Sequence, residues 1–264
     1  MPVSCQTPPQ SGPPLRLRWL EHTFADPAHN LALDHALLEG AQLDAAADGP
    51  HHPEVLRVWE PPTPMVVLGR SSRVKDEVNQ EACQADRVPV LRRVSGGATI
   101  LTGRGCLMYT TLLDLTKRPE LAAVDRAHQF VLGVLTTSLA EIAPGVRCAG
   151  QSDLVVPDGE RLLKFSGNSL RVARKWLLYH GTLMHGLPIE DIAKYLKHPP
   201  RQPDYRDQRE HGEFLTNLDA DSDTLIEALR RGFTAIEDLG RYPAALVEQL
   251  ADEYYRRDDW NLQR

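Results

Sequence analysis

Residues 88–113, VPVLRRVSGGATILTGRGCLMYTTLL, constrain the fold more than any other stretch of the chain. Two β-rich runs lie around glycines, so the segment reads as strands joined by turns. Further strands are expected at 15–22, where Leu15, Leu17 and Trp19 alternate with Arg16 and Arg18, and at 55–60 and 65–70 on either side of a Pro-Pro-Thr-Pro turn. DLVV (153–156) and LLKFSGNSLRV (162–172) read as strands joined by a Pro-Asp-Gly-Glu turn, and LLYHGTLMHG continues the sheet. Asp26-Pro27 has the chemistry of an N-cap followed by an N1 proline, and Leu31, His35, Leu38 and Leu43 then fall near one side of a helix that Gly49-Pro50 stops. A helix-compatible stretch covers 77–86, the longest helical pattern covers 120–142, and two amphipathic helices, 223–239 and 242–255, end the chain. The order lacks the regular βαβ alternation of a doubly wound fold. It predicts an α+β (mixed α/β) fold, a mixed sheet packed with helices and followed by two C-terminal helices.

The 264 residues suffice for a sizeable core, and the first 14, rich in Pro, Ser and Gln, read as a flexible leader. A formal net charge of -6 gives no global basic field for nucleic acid or an anionic membrane. No apolar run approaches the roughly 20 residues of a membrane helix. The start lacks the basic and apolar regions of a signal peptide. The scattered cysteines, Cys5, Cys83, Cys106 and Cys148, form neither a CxxC pair nor a zinc spacing. These features predict a protein of a reducing cytoplasm that binds neither nucleic acid nor membrane.

Two segments carry chemistry. In Arg92 to Ala98, consecutive cations precede Ser95-Gly96-Gly97, a backbone on which two residues lack Cβ atoms. Exposed N–H groups and arginine forks suit phosphate or carboxylate, while the same residues also fit a tight turn with solvated arginines. In Lys164 to Ser169, a strand lysine precedes a Gly-containing polar turn, and His180-Gly181-Thr182-Leu183 follows 16 residues after that lysine. A fixed lysine can hold a carboxylate and stabilise charge growing on an acyl-phosphate; equally, strand lysines commonly face solvent. Asp153 offers a carboxylate for a metal or an incoming amine, or simply a turn cap.

Taken together, RRVSGG at 92–97, SDLVV at 152–156, KFSGNS at 164–169 and HGTL at 180–183 resemble the lipoate–protein ligase A family in order and separation. NLALD (30–34) and VVLGR (66–70) extend the resemblance from about Leu15 to the C-terminus. It implies a biotin/lipoate ligase-like catalytic domain over 15–264, with no accessory domain after Trp260. It also implies the ligase reaction: lipoate (or octanoate) and ATP, with Mg2+, give an acyl-adenylate, and the acyl group passes to a lysine of a lipoyl carrier domain such as an E2 subunit or an H protein. By the same resemblance Lys164 contacts both the acyl carboxyl and the nucleotide phosphate, and Asp153 lies near the acceptor or Mg2+. Arg93, Gly96, Gly97, Ala98, Thr99, Ile100 and Leu101 face ATP or the adenylate. Arg70, Lys164, Gly167 and His180 face the lipoyl group, whose apolar chain runs near Val67, Ile100 and His180.

The family shows a third glycine where Ala98 stands, Ala-Val at Thr99-Ile100 and His-Asp at Thr102-Gly103. Ala98 disfavours positive φ, which predicts an altered loop. If activation needs the accessory part, a separate ligase subunit supplies it. Two other readings remain open: an ATP-independent octanoyl or lipoyl transferase working through a Cys148 thioester, and a non-catalytic carrier-binding subunit. The Pro-rich loop 198–211 is a rigid connection, a cover for the site, or a surface on which Arg201, Arg206 and Arg209 meet an acidic carrier.

Overall fold

The computed structural model describes residues 13–46 and 52–264. Most of the expected leader, and the Gly49-Pro50 stop, lie outside the described residues. In chain order the strands are β1 (Arg18–Glu21), β2 (Val55–Trp59), β3 (Met65–Leu68), β4 (Val90–Arg92), β5 (Ile100–Thr102), β6 (Cys106–Asp114), β7 (Arg147–Ala149), β8 (Asp153–Asp158), β9 (Arg161–Ala173) and β10 (Trp176–Met184). The helices are α1 (Pro27–Ala46), α2 (Val74–Glu77), α3 (Gln80–Ala85), α4 (Val124–Ser138), α5 (Ile189–Tyr195), α6 (His211–Phe214), α7 (Ser222–Gly232), α8 (Ala244–Leu250) and α9 (Asp258–Asn261). Among the described residues none is long and apolar enough to cross a membrane.

The α+β class holds, but the strands divide between two sheets where one was expected. Seven strands run in the order β1-β2-β6-β10-β9-β8-β7, and three in the order β4-β3-β5. β1–β2 and β3–β4 are parallel, and the remaining neighbours are antiparallel. The glycine-rich stretch therefore belongs to both sheets, and the chain crosses from β5 to β6 at Gly103-Arg104-Gly105. Gly105 has φ +84°, and a Cβ there would sit 2.2 Å from the Gly186 carbonyl carbon, so the crossing needs glycine.

β6 and β10 are buried along their whole length because both faces of the large sheet are covered. Leu112, Trp176 and Leu178 enter one core with α1, α8 and the small sheet. Their alternates Leu113, Leu177 and Tyr179 enter a second core with α4 and α7. Asp26 caps α1 as its sequence predicts, its Oδ1 accepting from the Ala28 N–H at 2.9 Å. The 77–86 stretch splits into α2 and α3 because Asn79 starts a new helix, accepting from the Ala82 N–H. The expected 223–239 helix stops at Gly232, and Thr234 turns the chain with φ +51°. After α8 a π-helical turn, Ala251–Tyr255, leads to α9, which the helical pattern did not reveal.

Candidate active site

Lys164 owes its position to a break in the β8–β9 ladder. Asp153 pairs with Gly167 and Leu154 with Ser166, yet Val155 pairs with Lys164, leaving Phe165 as an extra residue. In regular alternation Lys164 and Gly167 would face opposite sides; the bulge brings Lys164 to the face of Gly167. There Lys164 Nζ meets Asp153 Oδ1 at 2.7 Å. A Cβ on Gly167 would come within 3.1 Å of that Nζ, so the glycine of the KFSGNS motif leaves room for the lysine to lie across the strand. The Tyr205 hydroxyl donates to the other oxygen, Asp153 Oδ2, at 2.8 Å. Burial first, then the Asp153 charge, pushes the Tyr205 pKa up and keeps it a donor.

KFSGNS and HGTL are cross-strand partners, His180 opposite Ser169 and Gly181 opposite Asn168. A Cβ on Gly181 would lie 1.8 Å from Asn168 Oδ1, which explains the glycine beside His180. Ser169 Oγ donates to the Gly96 carbonyl at 2.8 Å, fastening the glycine-rich segment to the large sheet.

Arg93 shapes that segment from within. Its Nε donates to Ser95 Oγ and the Gly96 carbonyl, both at 3.1 Å, its Nη1 to the Val67 carbonyl at 3.1 Å, and its Nη2 to the Gly96 and Ala98 carbonyls at 2.6 and 2.9 Å. Burial lowers its pKa to about 10, with the Glu77 charge acting in the opposite direction. It remains a cation, but one turned into the loop. Arg92 is likewise unavailable to a ligand: it donates to the Gly69 and Ser72 carbonyls, both at 2.8 Å, and to the Trp260 and Asn261 carbonyls. The reading of solvated arginines therefore fails for both residues.

What the segment presents outward is backbone. Gly96, Gly97 and Ala98 are exposed, and their N–H groups have no acceptor among the described residues. Within the segment only Gly97 takes a positive φ, +86°; Ala98 does not, so the third glycine's absence causes no strain there. Thr99 donates its N–H and hydroxyl to Glu77 Oε2 at 2.9 and 2.7 Å, tying the segment's far end to α2. Ile100 and Leu101 lie in β5, Ile100 opposite Val67. Thr102, where the family has histidine, is buried and donates to Met108 Sδ.

His180 turns Nε2 towards Ser95 Oγ at 2.5 Å and Nδ1 towards Asp34 Oδ2 at 3.5 Å. Arg70 is exposed just beyond β3. Its charge and that of Arg171 both reach the buried His35, whose pKa falls to about 4, chiefly by desolvation. Arg171 is absent from the sequence-derived set. Alternation along β9 from Gly167 through Ser169 places it on the same face, the signal by which it is found.

Asp153, expected near the acceptor or Mg2+, is held within the protein here. Both its oxygens are engaged, and no group of three or more His, Cys, Asp or Glu able to hold a metal occurs among the described residues. The loop 198–211 reaches the site through Tyr205. Arg206 is 4% exposed, and Arg206 and Arg209 donate to each other's carbonyls. Arg209 also donates to the Leu162 carbonyl, so of the three arginines suggested for carrier docking Arg201 is the exposed one. Cys148 lies on the outer strand β7, opposite Leu154. Burial raises the thiol pKa of Cys83, and that of Cys106 to about 12.

The two sheets bring the glycine-rich segment, through Ser169, against β9, the strand that carries Lys164. The chain belongs to the lipoyl protein ligase A/B catalytic domain family, whose model matches residues 26–233. A Mycoplasma pneumoniae protein named as a lipoate-protein ligase A is 26% identical over 209 residues, covering 75% of this chain and 59% of its own length. An Aeropyrum pernix protein of the same name is 29% identical over 165 residues, covering 62% and 56%. The chain thus spans little more than half the length of these relatives. Among solved structures, a bipartite lipoate protein ligase from Thermoplasma acidophilum, described with its E2 lipoyl domain, has a TM-score of 0.78 at 20% identity, covering 94% of this chain and 96% of that one. A lipoate-protein ligase A bound with ATP has a TM-score of 0.69 at 20% identity, covering 95% and 99%. A Thermoplasma acidophilum structure holds lipoic acid, with a TM-score of 0.72 at 18% identity and coverage of 96% and 100%.

Proposed function

We propose that this chain is a lipoate–protein ligase, activating lipoate or octanoate with ATP and transferring the acyl group to a lysine of a lipoyl carrier domain. The observation that carries the reading is Lys164, swung by the bulge onto the Gly167 face and held by Asp153. Family membership supports the reaction class, and the related structures with ATP and with lipoic acid support the two substrates.

In this reading the free N–H groups of Gly96, Gly97 and Ala98 take the nucleotide phosphate, as exposed backbone donors do. Arg93 keeps those groups in shape, and Thr99, Ile100 and Leu101 continue the wall. Lys164 bridges the acyl carboxyl and the phosphate, stabilising negative charge as the carboxylate attacks and pyrophosphate leaves. Asp153 holds Lys164 until substrate draws it away, and its freed oxygen then faces the incoming carrier amine. Gly167 borders the acyl group, and His180 lies behind the glycine-rich segment, against Ser95. Arg70 and Arg171 supply further positive charge. The carrier is an E2 subunit, an H protein or a similar domain, and a separate accessory subunit assists activation, as the bipartite character of the Thermoplasma ligase suggests.

The transfer half is tested with preformed lipoyl-adenylate and an apo lipoyl domain, read by intact mass. The wild-type chain is expected to acylate the domain, and Lys164→Ala to lower the rate by about 100-fold or more. Equal rates for the two proteins would remove Lys164 from the chemistry.

A further inference from the structure

A second polar array lies beneath the glycine-rich segment, and every member is buried. Asp34 on α1, Arg57 on β2, Thr110 on β6, His180 on β10 and Ser95 are each at most 8% exposed. Asp34 Oδ1 accepts from Arg57 Nη1 at 2.5 Å, and Oδ2 accepts from Thr110 Oγ1 at 2.7 Å. Arg57 is itself fixed by the Asn30 and His22 carbonyls at 2.8 and 3.1 Å. Burial pushes the Asp34 pKa up, but the Arg57 charge and the His180 and Thr110 hydrogen bonds outweigh it, so the group is a carboxylate.

A carboxylate can only accept. In neutral His180 the ring proton therefore sits on Nδ1, facing Asp34, and Nε2 is left as an acceptor. Among the described residues the donor facing that acceptor is the Ser95 hydroxyl, 2.5 Å away. Ser95 Oγ in turn accepts from Arg93 Nε at 3.1 Å, and the same guanidinium holds the Gly96 and Ala98 carbonyls. The chain of bonds runs from the core of the large sheet to the backbone that presents the free N–H groups.

We propose that His180 is a positioning residue for the glycine-rich segment: in the tautomer imposed by Asp34 and Arg57 it fixes Ser95, and through Ser95 and Arg93 it sets the Gly96–Ala98 donors. This inference rests on the reading of those donors as the phosphate site. It gives His180 a task different from contact with the acyl group, since both ring nitrogens are committed within the protein. Positioning of this kind acts equally on bound substrate and transition state, so its loss raises KM for ATP and leaves kcat nearly unchanged. A purely structural role would instead lower the active fraction, reducing kcat at constant KM.

The test compares His180→Leu with His180→Gln, whose amide can supply an acceptor near the place of Nε2. His180→Leu is expected to raise KM for ATP by about tenfold with kcat within a few-fold of wild type, and His180→Gln to recover most of the loss. An unchanged KM in the leucine variant, or no recovery with glutamine, overturns the proposal. Imidazole nitrogen NMR of the wild-type protein provides a readout that needs neither activity nor a variant of His180. It is expected to show the His180 proton on Nδ1, facing Asp34, and Ser95→Ala to shift the Nε2 resonance. A proton on Nε2, or no response to Ser95→Ala, overturns the relay even if the protein is a ligase. A wild-type protein that never uses ATP, with the expected spectra, instead defeats the ligase reading and leaves the relay standing.

Discussion

At the scale of single residues the site depends on small groups that leave room for charged ones. Gly167 is the clearest case, because any Cβ there meets the Lys164 ammonium end at 3.1 Å. Gly167→Ala is expected to displace Lys164 by a fraction of an ångström and lower kcat/KM by about 10–100-fold. Its thermal midpoint should stay near that of wild type; steady-state kinetics beside a melting curve check both. His35 shows the opposite economy, a titratable ring kept neutral. The unfolded chain binds its proton near the ordinary value of 6.5 and the native state only near 4, so the unfolded state holds more protons between those values. Stability should therefore fall as pH drops from 6.5 to 4 and level off below, by about 3 kcal/mol in all for this group. Urea unfolding across that range, compared with His35→Gln, isolates the contribution: the variant should lose this part of the slope.

At the scale of elements, the C-terminal α9 braces the strand that leads into the glycine-rich segment. The Arg92 N–H donates to Asn261 Oδ1 at 2.9 Å, and Trp260 Nε1 donates to the Arg92 carbonyl at 2.8 Å. Asn261→Ala leaves a buried N–H without its acceptor, an expected loss of about 1–3 kcal/mol by chemical denaturation, with a higher KM for ATP. Equal denaturation midpoints would show that the brace carries no weight. This brace was hidden in the sequence, since DDWN has neither the length nor the apolar period of a recognisable helix. Periodicity did reveal the long elements, such as α1, α4 and β10, whose patterns repeat over several turns or alternations. It also overextended α7, because the chain turns at Thr234 in a left-handed conformation that a threonine rarely adopts.

At the scale of the whole molecule, the two sheets meet at the site, and the motifs of the sequence are the points of contact. RRVSGG hangs from the small sheet, while KFSGNS and HGTL face each other on the large one. Their presence was legible in residue order, and the family resemblance they suggested agrees with the match over residues 26–233. Their division of labour was not. Arg92 and Arg93 read as ligand-facing or solvated cations, whereas they hold carbonyls, because sequence shows charge but not where a buried fork finds its acceptors. The bulge that turns Lys164 was equally invisible, since one extra residue in a strand leaves no mark on composition.

The roles assigned to these residues converge on ATP-dependent attachment of an acyl group to a carrier lysine. An apo lipoyl domain incubated with this chain, an accessory ligase subunit, lipoate and Mg2+, with and without ATP, and weighed by intact-mass spectrometry, tests it directly. A lipoyl mass gain is expected only when ATP is present. No gain with ATP, but a gain from an acyl-carrier thioester in its absence, would contradict it.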